Sequence, residues 1–207
     1  MKVNDMALTL PVSGGGGDFK RAPAGSHIAV CNLVADCGMH PGSPQYPSPK
    51  RKLYLRFEIP DERVEYEKDG KKIEGPLTIG SFYTASMNEK ATLRKHLEGW
   101  RGIAFNDADA ATFDISKLLG KACMLNVIET EHNGKTYSNI QNIGKLPKSV
   151  TAPKAENDLL YYADDDTSQF DELPKWLREK IESQIVPAKP AATESHTSFH
   201  DDEIPFN

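Results

Sequence analysis

The sequence predicts a mostly β body, with a helix set between its third and fourth strands and an acidic extension behind it. Three observations carry that expectation. Lys52–Ile59 alternates apolar and polar side chains at period two. Asn133-Gly134 sits between two strand-like runs, the composition of a tight hairpin turn. Between these two stretches, Asn88–Gly99 changes to helical spacing, with Leu93 and Leu97 four apart.

The chain opens on Met1–Arg21, which holds four consecutive glycines, Gly14–Gly17. These read as a flexible joint. They are not a phosphate-cradling loop, because Asp18-Phe19 follows where Lys-Ser/Thr is required. Residues 1–24 are therefore expected to be a flexible N-terminal segment. Gly25–Asp36 reads as the first strand, and the proline-rich stretch Gly38–Lys52 as a loop. In the second strand, Leu53, Leu55, Phe57 and Ile59 share one face, and Tyr54, Arg56 and Glu58 the other. Pro60 is expected to end it. Glu62–Gly75 is a charged excursion closed by Gly75-Pro76, and Leu77–Ser86 is the third strand, with Gly80 a candidate bulge. The helix over Asn88–Gly99 takes Ser86 or Asn88 as its cap and Gly99 as its stop. A second short helix is expected over Asp114–Leu119, capped by Asp114 and stopped by Gly120. Ala122–Glu129 and Thr136–Ile143 then form a hairpin around His132–Lys135.

Three strands, a helix and two strands is the element order of the OB-fold, a five-stranded Greek-key barrel. Such barrels bind oligonucleotides across strands two and three. The predicted body spans 25–150. Residues 151–207 then comprise an acidic linker, an amphipathic helix at about 173–186 and a disordered, partner-binding tail rich in Pro, Ala, Thr and Ser. In that helix Leu173, Trp176, Leu177, Lys180, Ile181 and Ile185 fall near helical spacing, and Pro174 suits the first turn.

The charge is unevenly distributed along the 207 residues. Residues 151–207 hold five Lys/Arg and thirteen Asp/Glu, a net of −8, against 20 and 17 over residues 1–150, a net of +3. A basic body attracts phosphate while the acidic tail repels it. No apolar run approaches the ~20 residues that span a bilayer, and Met6–Leu10 is too short for a signal peptide. Three cysteines without a CxxC pair argue against a disulfide framework. A cytoplasmic protein is expected.

Tyr46–Arg56, YPSPKRKLYLR, is the most informative binding stretch. Lys50, Arg51 and Lys52 can neutralise phosphates, and Tyr46 and Tyr54 can stack on bases, with Arg56 beside them. The other reading of this stretch is a solvated strand face. Lys90, Arg94, Trp100 and Arg101 form a second candidate set around the helix, although a charged outer helix face and a core or stapling Trp100 account better for it. Phe82 and Tyr137 complete the expected DNA contacts. Cys31, Cys37, His40 and Cys123 lack the two close ligand pairs of a structural zinc site, so buried free thiols are expected and no metal or cofactor. No nucleophile-base pair or paired acids stand on the predicted scaffold, so no catalytic residue is assigned and an enzyme is not expected.

The terminus, His200-Asp201-Asp202-Glu203-Ile204-Pro205-Phe206-Asn207, joins acids to a Pro-restricted apolar pair. It resembles the partner-docking tip of bacterial single-stranded-DNA-binding proteins, although that family places its aromatic residue last and here Asn207 follows. The body resembles the single-stranded-DNA-binding proteins of tailed bacteriophages over about 25–150. The resemblance rests on Gly25-Ser26-His27-Ile28-Ala29, Lys52–Phe57, Leu93–Arg101 with Trp100-Arg101-Gly102, and Leu119-Gly120-Lys121-Ala122-Cys123; Leu-Pro-x-Trp-Leu at 173–177 adds to it. The resemblance implies an OB-fold, sequence-tolerant binding of single strands in DNA replication and recombination, and recruitment of host or phage replication or repair proteins through Asp201, Asp202, Glu203, Ile204, Pro205 and Phe206. A homo-oligomer is compatible with it. Two rivals stand beside this expectation: an adaptor or inhibitor that binds a host protein without ssDNA affinity, and a subunit of a nucleic-acid-processing enzyme.

Overall fold

The computed structural model describes residues 20–68 and 71–185. The glycine run at 14–17 and the tip at 201–206 lie outside the described residues. The strands are β1 (Gly25–His40), β2 (Lys50–Lys68), β3 (Lys71–Thr84), β4 (Ala122–His132), β5 (Lys135–Gly144) and β6 (Leu160–Tyr162). The helices are α1 (Thr92–Arg101), α2 (Asp107–Ala111) and α3 (Lys175–Glu182), with 3-10 turns at Ile115–Leu118 and Phe170–Glu172. An antiparallel path runs β3-β2-β1-β4-β5, and β6 joins β1 in parallel. The sheet curls until β3 and β5, the two ends of the path, come into contact without forming a ladder. Among these residues no helix is long and apolar enough to cross a membrane.

The inner face follows the alternation of β2. Leu55, Phe57 and Ile59 are fully buried with Val34, Leu97, Leu125 and Ile143, and Trp100 of α1 closes the core with its ring 5.6 Å from Phe57. Each such side chain stabilises the fold by about 1.5–3 kcal/mol relative to leaving it in water. The β4–β5 turn has φ of 50° at Asn133 and 70° at Gly134, the positive pair that a type I′ hairpin needs.

Several boundaries differ from the sequence expectation. β1 runs four residues beyond Asp36, and β2 starts at Lys50 and runs past Pro60. Pro60, Asp61 and Glu62 are extra residues on β2 between the pairs Ile59–Leu77 and Arg63–Pro76. This bulge accommodates a proline that a regular central ladder would reject. Gly80, by contrast, pairs regularly with Arg56 and is no bulge. It is glycine because the Tyr54 ring lies on its backbone, where a Cβ would collide. α1 starts later than Asn88, because the Asn88 side chain accepts the Lys90 N–H (3.1 Å) and holds a local turn in place of the first helical turn. It also passes Gly99 and stops at Gly102, whose φ is 70° and whose N–H donates to the Glu98 carbonyl. Gly99 instead admits the Ile143 carbonyl. The Asp114 cap and the Gly120 stop are where the sequence places them, around a 3-10 turn.

β1 carries a register shift between Cys31 and Leu33, so Asn32 is an extra residue there. The shift inverts the side-chain alternation. Cys31 and Val34 both point into the inner core, while Leu33, Ala35 and Cys37 point to the outer face. Cys31 and Cys37 therefore lie on opposite faces, and all three cysteines are buried and free.

The segment read as an acidic linker and an amphipathic helix, left open by the sequence as docked or free, is packed on the body. Glu58, fully buried, accepts hydrogen bonds from the backbone N–H of Glu156 and of Asn157 (3.1 Å) and from the Asn157 amide (2.7 Å). β6 then pairs with Leu33–Ala35 of β1. α3 lays Leu177 and Ile181 on Leu33, Ala35, Cys37 and Tyr54, forming a second apolar cluster outside the curl. Pro174 is the N-cap of α3 and lies just outside the first turn. The end of the N-terminal segment is also tied down, with Ala22 buried and its carbonyl accepting from the Ser138 hydroxyl (2.6 Å).

Candidate nucleic-acid interface

The outer face of β2 presents Lys52, Tyr54, Arg56 and Glu58 in alternation, opposite Thr84, Phe82, Gly80 and Thr78 of β3. β-pleating puts Tyr54 and Phe82 side by side, with ring centroids 4.8 Å apart. α3 adds Trp176, edge-on to Tyr54 at 5.1 Å and to Phe82 at 6.2 Å. The three rings are not equally accessible. Tyr54 is 7% exposed, Phe82 40%, and Trp176 is half-buried. Burial pushes the Tyr54 hydroxyl up to about 12, so it stays neutral.

Cations surround this patch. Lys52 donates to the Thr84 hydroxyl (3.1 Å). Burial lowers its pKa, and the charges of Lys50 and Lys180 lower it further. Lys50 lies over the Tyr46 ring at 5.1 Å, and Tyr46 is 65% exposed at the loop tip. His40, buried, bonds the Cys37 carbonyl through Nε2 (2.8 Å); burial lowers its pKa, and Lys180 and Lys52 add to that. Lys50, Lys52 and Lys180 make no ion pair among the described residues. Like charges left close together without carboxylates favour an anion among them.

Arg56 is held within this face. Its Nε donates to the Asn32 side chain (3.1 Å), and burial lowers its pKa without removing its charge. Arg51 belongs to the other face, as alternation requires. There it binds Asp36 and Asp164 and lines a cleft of about 370 Å³ with Tyr161 and Tyr162. Of the basic triplet, then, Lys50 and Lys52 stand beside the rings while Arg51 is already neutralised.

The second predicted set separates from the first. Arg94 is buried and donates to the carbonyls of Met87 (3.0 Å) and Phe105 (2.7 Å) and to Glu98 (3.0 Å), stapling the loops around α1. Trp100 is a core residue whose indole N–H donates to the Ala122 carbonyl (2.9 Å). Both are thus taken off the open surface. Arg101 stacks over Phe105 at 4.0 Å, near Asp109. Lys90 is exposed beside the Asn88 turn, and Tyr137 is half-buried on β5 opposite Thr130.

Sequence reasoning missed Trp176 and Lys180 as members of the patch. Both were placed in the amphipathic helix, and their spacing of four held a further signal. Counting from the buried Leu177 and Ile181, the two side chains flank the same edge of that stripe. Burial pushes Cys31 and Cys37 up to about 12, far from thiolate formation at neutral pH. Among the described residues no three His, Cys, Asp or Glu side chains are grouped to hold a metal. Comparison of the chain with known protein families gives no match, and comparison with curated proteins gives none either.

Proposed function

We propose that this protein binds single-stranded DNA with little sequence preference, through an OB-like barrel that uses the outer face of β2 and β3. The single observation that carries this reading is the pair of solvent-reached rings, Phe82 and Trp176, beside Lys50, Lys52 and Lys180. Rings stack on any unpaired base, and the ammonium groups neutralise phosphates without reading sequence. The strand path also supports it: β1 pairs with both β2 and β4, and α1 falls between β3 and β4, as in an OB barrel.

The acidic terminus belongs to the same proposal. Asp201, Asp202 and Glu203 meet a basic rim on a replication or recombination protein, while Ile204, Pro205 and Phe206 enter an apolar pocket. In a phage setting those partners are host or phage proteins. Phe206→Ala is expected to abolish most of that capture while leaving DNA binding intact.

A fluorescence titration of the full chain with poly-dT at two salt concentrations tests the reading. Binding that weakens with salt is expected. Absence of binding at both concentrations refutes it in favour of a protein adaptor, and divalent-metal-dependent cleavage of the strand refutes it in favour of a nuclease component.

A further inference from the structure

We propose that Trp176, carried by the C-terminal helix α3, is a base-stacking residue that works with Phe82, and that Lys180 and Lys52 hold the flanking phosphates. The inference rests on the single-strand reading above and extends it to a residue outside the barrel. Three observations support it.

The first is accessibility. Tyr54, the ring that strand alternation puts at the centre of the outer face, is covered. Trp176 is part of that cover, packed edge-on at 5.1 Å with an interplanar angle of 84°. An edge-on ring that caps another keeps a face of its own for a further partner. The half-buried indole and the 40%-exposed Phe82, 6.2 Å apart, are the aromatic surface that the three-ring cluster leaves for a base.

The second is helix geometry. Leu177 and Ile181 are buried and fix how α3 rotates on β1. Residues 176 and 180 then lie one turn apart on the edge of α3 that faces β2 and β3, about 6 Å along the axis. Lys180 is close enough to Lys52 and His40 for its charge to act on both. A stacking ring and a phosphate-binding ammonium are thereby offered side by side.

The third is that α3 is fixed before any ligand arrives. Its C-terminal end is tied to β1 through the Ile185 N–H, which donates to the Met39 carbonyl (2.7 Å). Its preceding chain is held by β6 and by the hydrogen bonds to Glu58. Trp176 is therefore positioned by the fold and does not have to be ordered on binding.

The chain has two tryptophans, and Trp100 is buried in the inner core, so a change in indole emission on binding reports Trp176. The test titrates the full chain with oligo-dT, oligo-rU and a DNA duplex. Indole emission and the anisotropy of a labelled oligonucleotide are followed in parallel. Both single strands, or oligo-dT alone, should quench the emission, the first outcome assigning unpaired bases in general and the second DNA. Trp176→Phe should abolish the quench and weaken binding less than Trp176→Ala. Trp176→Ala should weaken binding by about 5- to 140-fold with an unchanged salt slope. Phe82→Ala, at an exposed ring, should weaken it comparably, which secures the test if Trp176→Ala fails to fold. Lys52→Ala with Lys180→Ala should instead lower the salt slope by about 1.4. Anisotropy that reports binding without quenching, or equal quenching by the duplex, overturns the stacking role and leaves single-strand binding standing. Anisotropy that reports no binding overturns both.

Discussion

The basic triplet Lys50-Arg51-Lys52 offers a sharp test, because the structure divides three adjacent cations by function. Lys50 and Lys52 stand beside the aromatic patch, and Arg51 is turned to the other face, between Asp36 and Asp164. Each phosphate neutralised on a single strand contributes about 0.7 to the slope of log K against log salt. Lys50→Ala with Lys52→Ala is therefore expected to lower that slope by about 1.4. Between 50 and 200 mM salt, the native chain should lose about sevenfold more affinity than the double variant. Arg51→Ala should leave the slope within error. Its cost should fall on stability, because Asp36 is largely buried and would lose its cation. The assay is the anisotropy of a labelled oligo-dT at four salt concentrations, with urea unfolding of each variant alongside. A slope that flattens with Arg51→Ala, or does not flatten with the lysine pair, refutes the division and places the phosphate track elsewhere.

Further expectations follow from the packing. Leu177→Ala should cost about 2–5 kcal/mol in urea unfolding, because the side chain is fully buried between α3 and β1; a loss under 1 kcal/mol would mean that α3 is not docked in solution. Gly134→Val should cost about 1–2 kcal/mol through the backbone alone, since φ is 70° there and an added Cβ meets no atom within 4 Å; an unchanged melting temperature would rule out the type I′ turn. His96 Nε2 faces the Gln141 carbonyl (3.1 Å), so it carries the proton of the neutral ring, and Nδ1 accepts from the Tyr83 hydroxyl (3.0 Å). Burial lowers the pKa of His96 below its unfolded value, so the folded state takes up its proton later than the unfolded state. Stability should then fall as pH drops below about 6.5, by up to about 1.4 kcal/mol per pH unit, and His96→Gln should reduce the slope of melting temperature against pH in that window.

How far the sequence can be read depends on where each determinant lies. The inner face of β2 is legible because period two needs no partner: Leu53, Leu55, Phe57 and Ile59 go inward together. The Asn133-Gly134 turn is legible because the backbone conformation selects the residue type locally. β1 is not, since the extra residue at Asn32 reverses the side chains from Leu33 until a second shift between Asp36 and Gly38, and nothing in GSHIAVCNLVAD marks the first. Gly80 misleads because a glycine in a strand signals either a bulge or a close approach, and only the Tyr54 ring decides between them. Most of all, alternation says which side chains leave the core but not what covers them. By alternation Tyr54 and Glu58 belong to an open face, yet their cover comes from 156–181, about a hundred residues further along the chain. A three-residue strand such as β6 has no periodicity to detect, and it exists only because β1 has a free edge beyond β4.

That cover makes stability and binding one problem on this face. α3 is held by burial of Leu177 and Ile181 and by one backbone bond at its end, and it presents Trp176 only while docked. A ligand that needs Trp176 binds the docked state alone, so it must stabilise docking by RT ln(1 + [L]/Kd). At oligo-dT a hundredfold above Kd, this is about 2.7 kcal/mol, roughly a hundredfold slowing of exchange for amides that open with α3. Amides of α3 and β6 measured by hydrogen exchange should therefore gain protection as a group on adding oligo-dT, and Trp176→Ala with Lys180→Ala should lose that gain even at matched saturation. A site confined to the barrel would bind docked and undocked chains alike. It would leave those amides unchanged however tight the binding, because a ligand without differential affinity shifts no equilibrium. Protection confined to β2 and β3 would thus separate α3 from the binding surface, even if every affinity measured on the native chain were as expected.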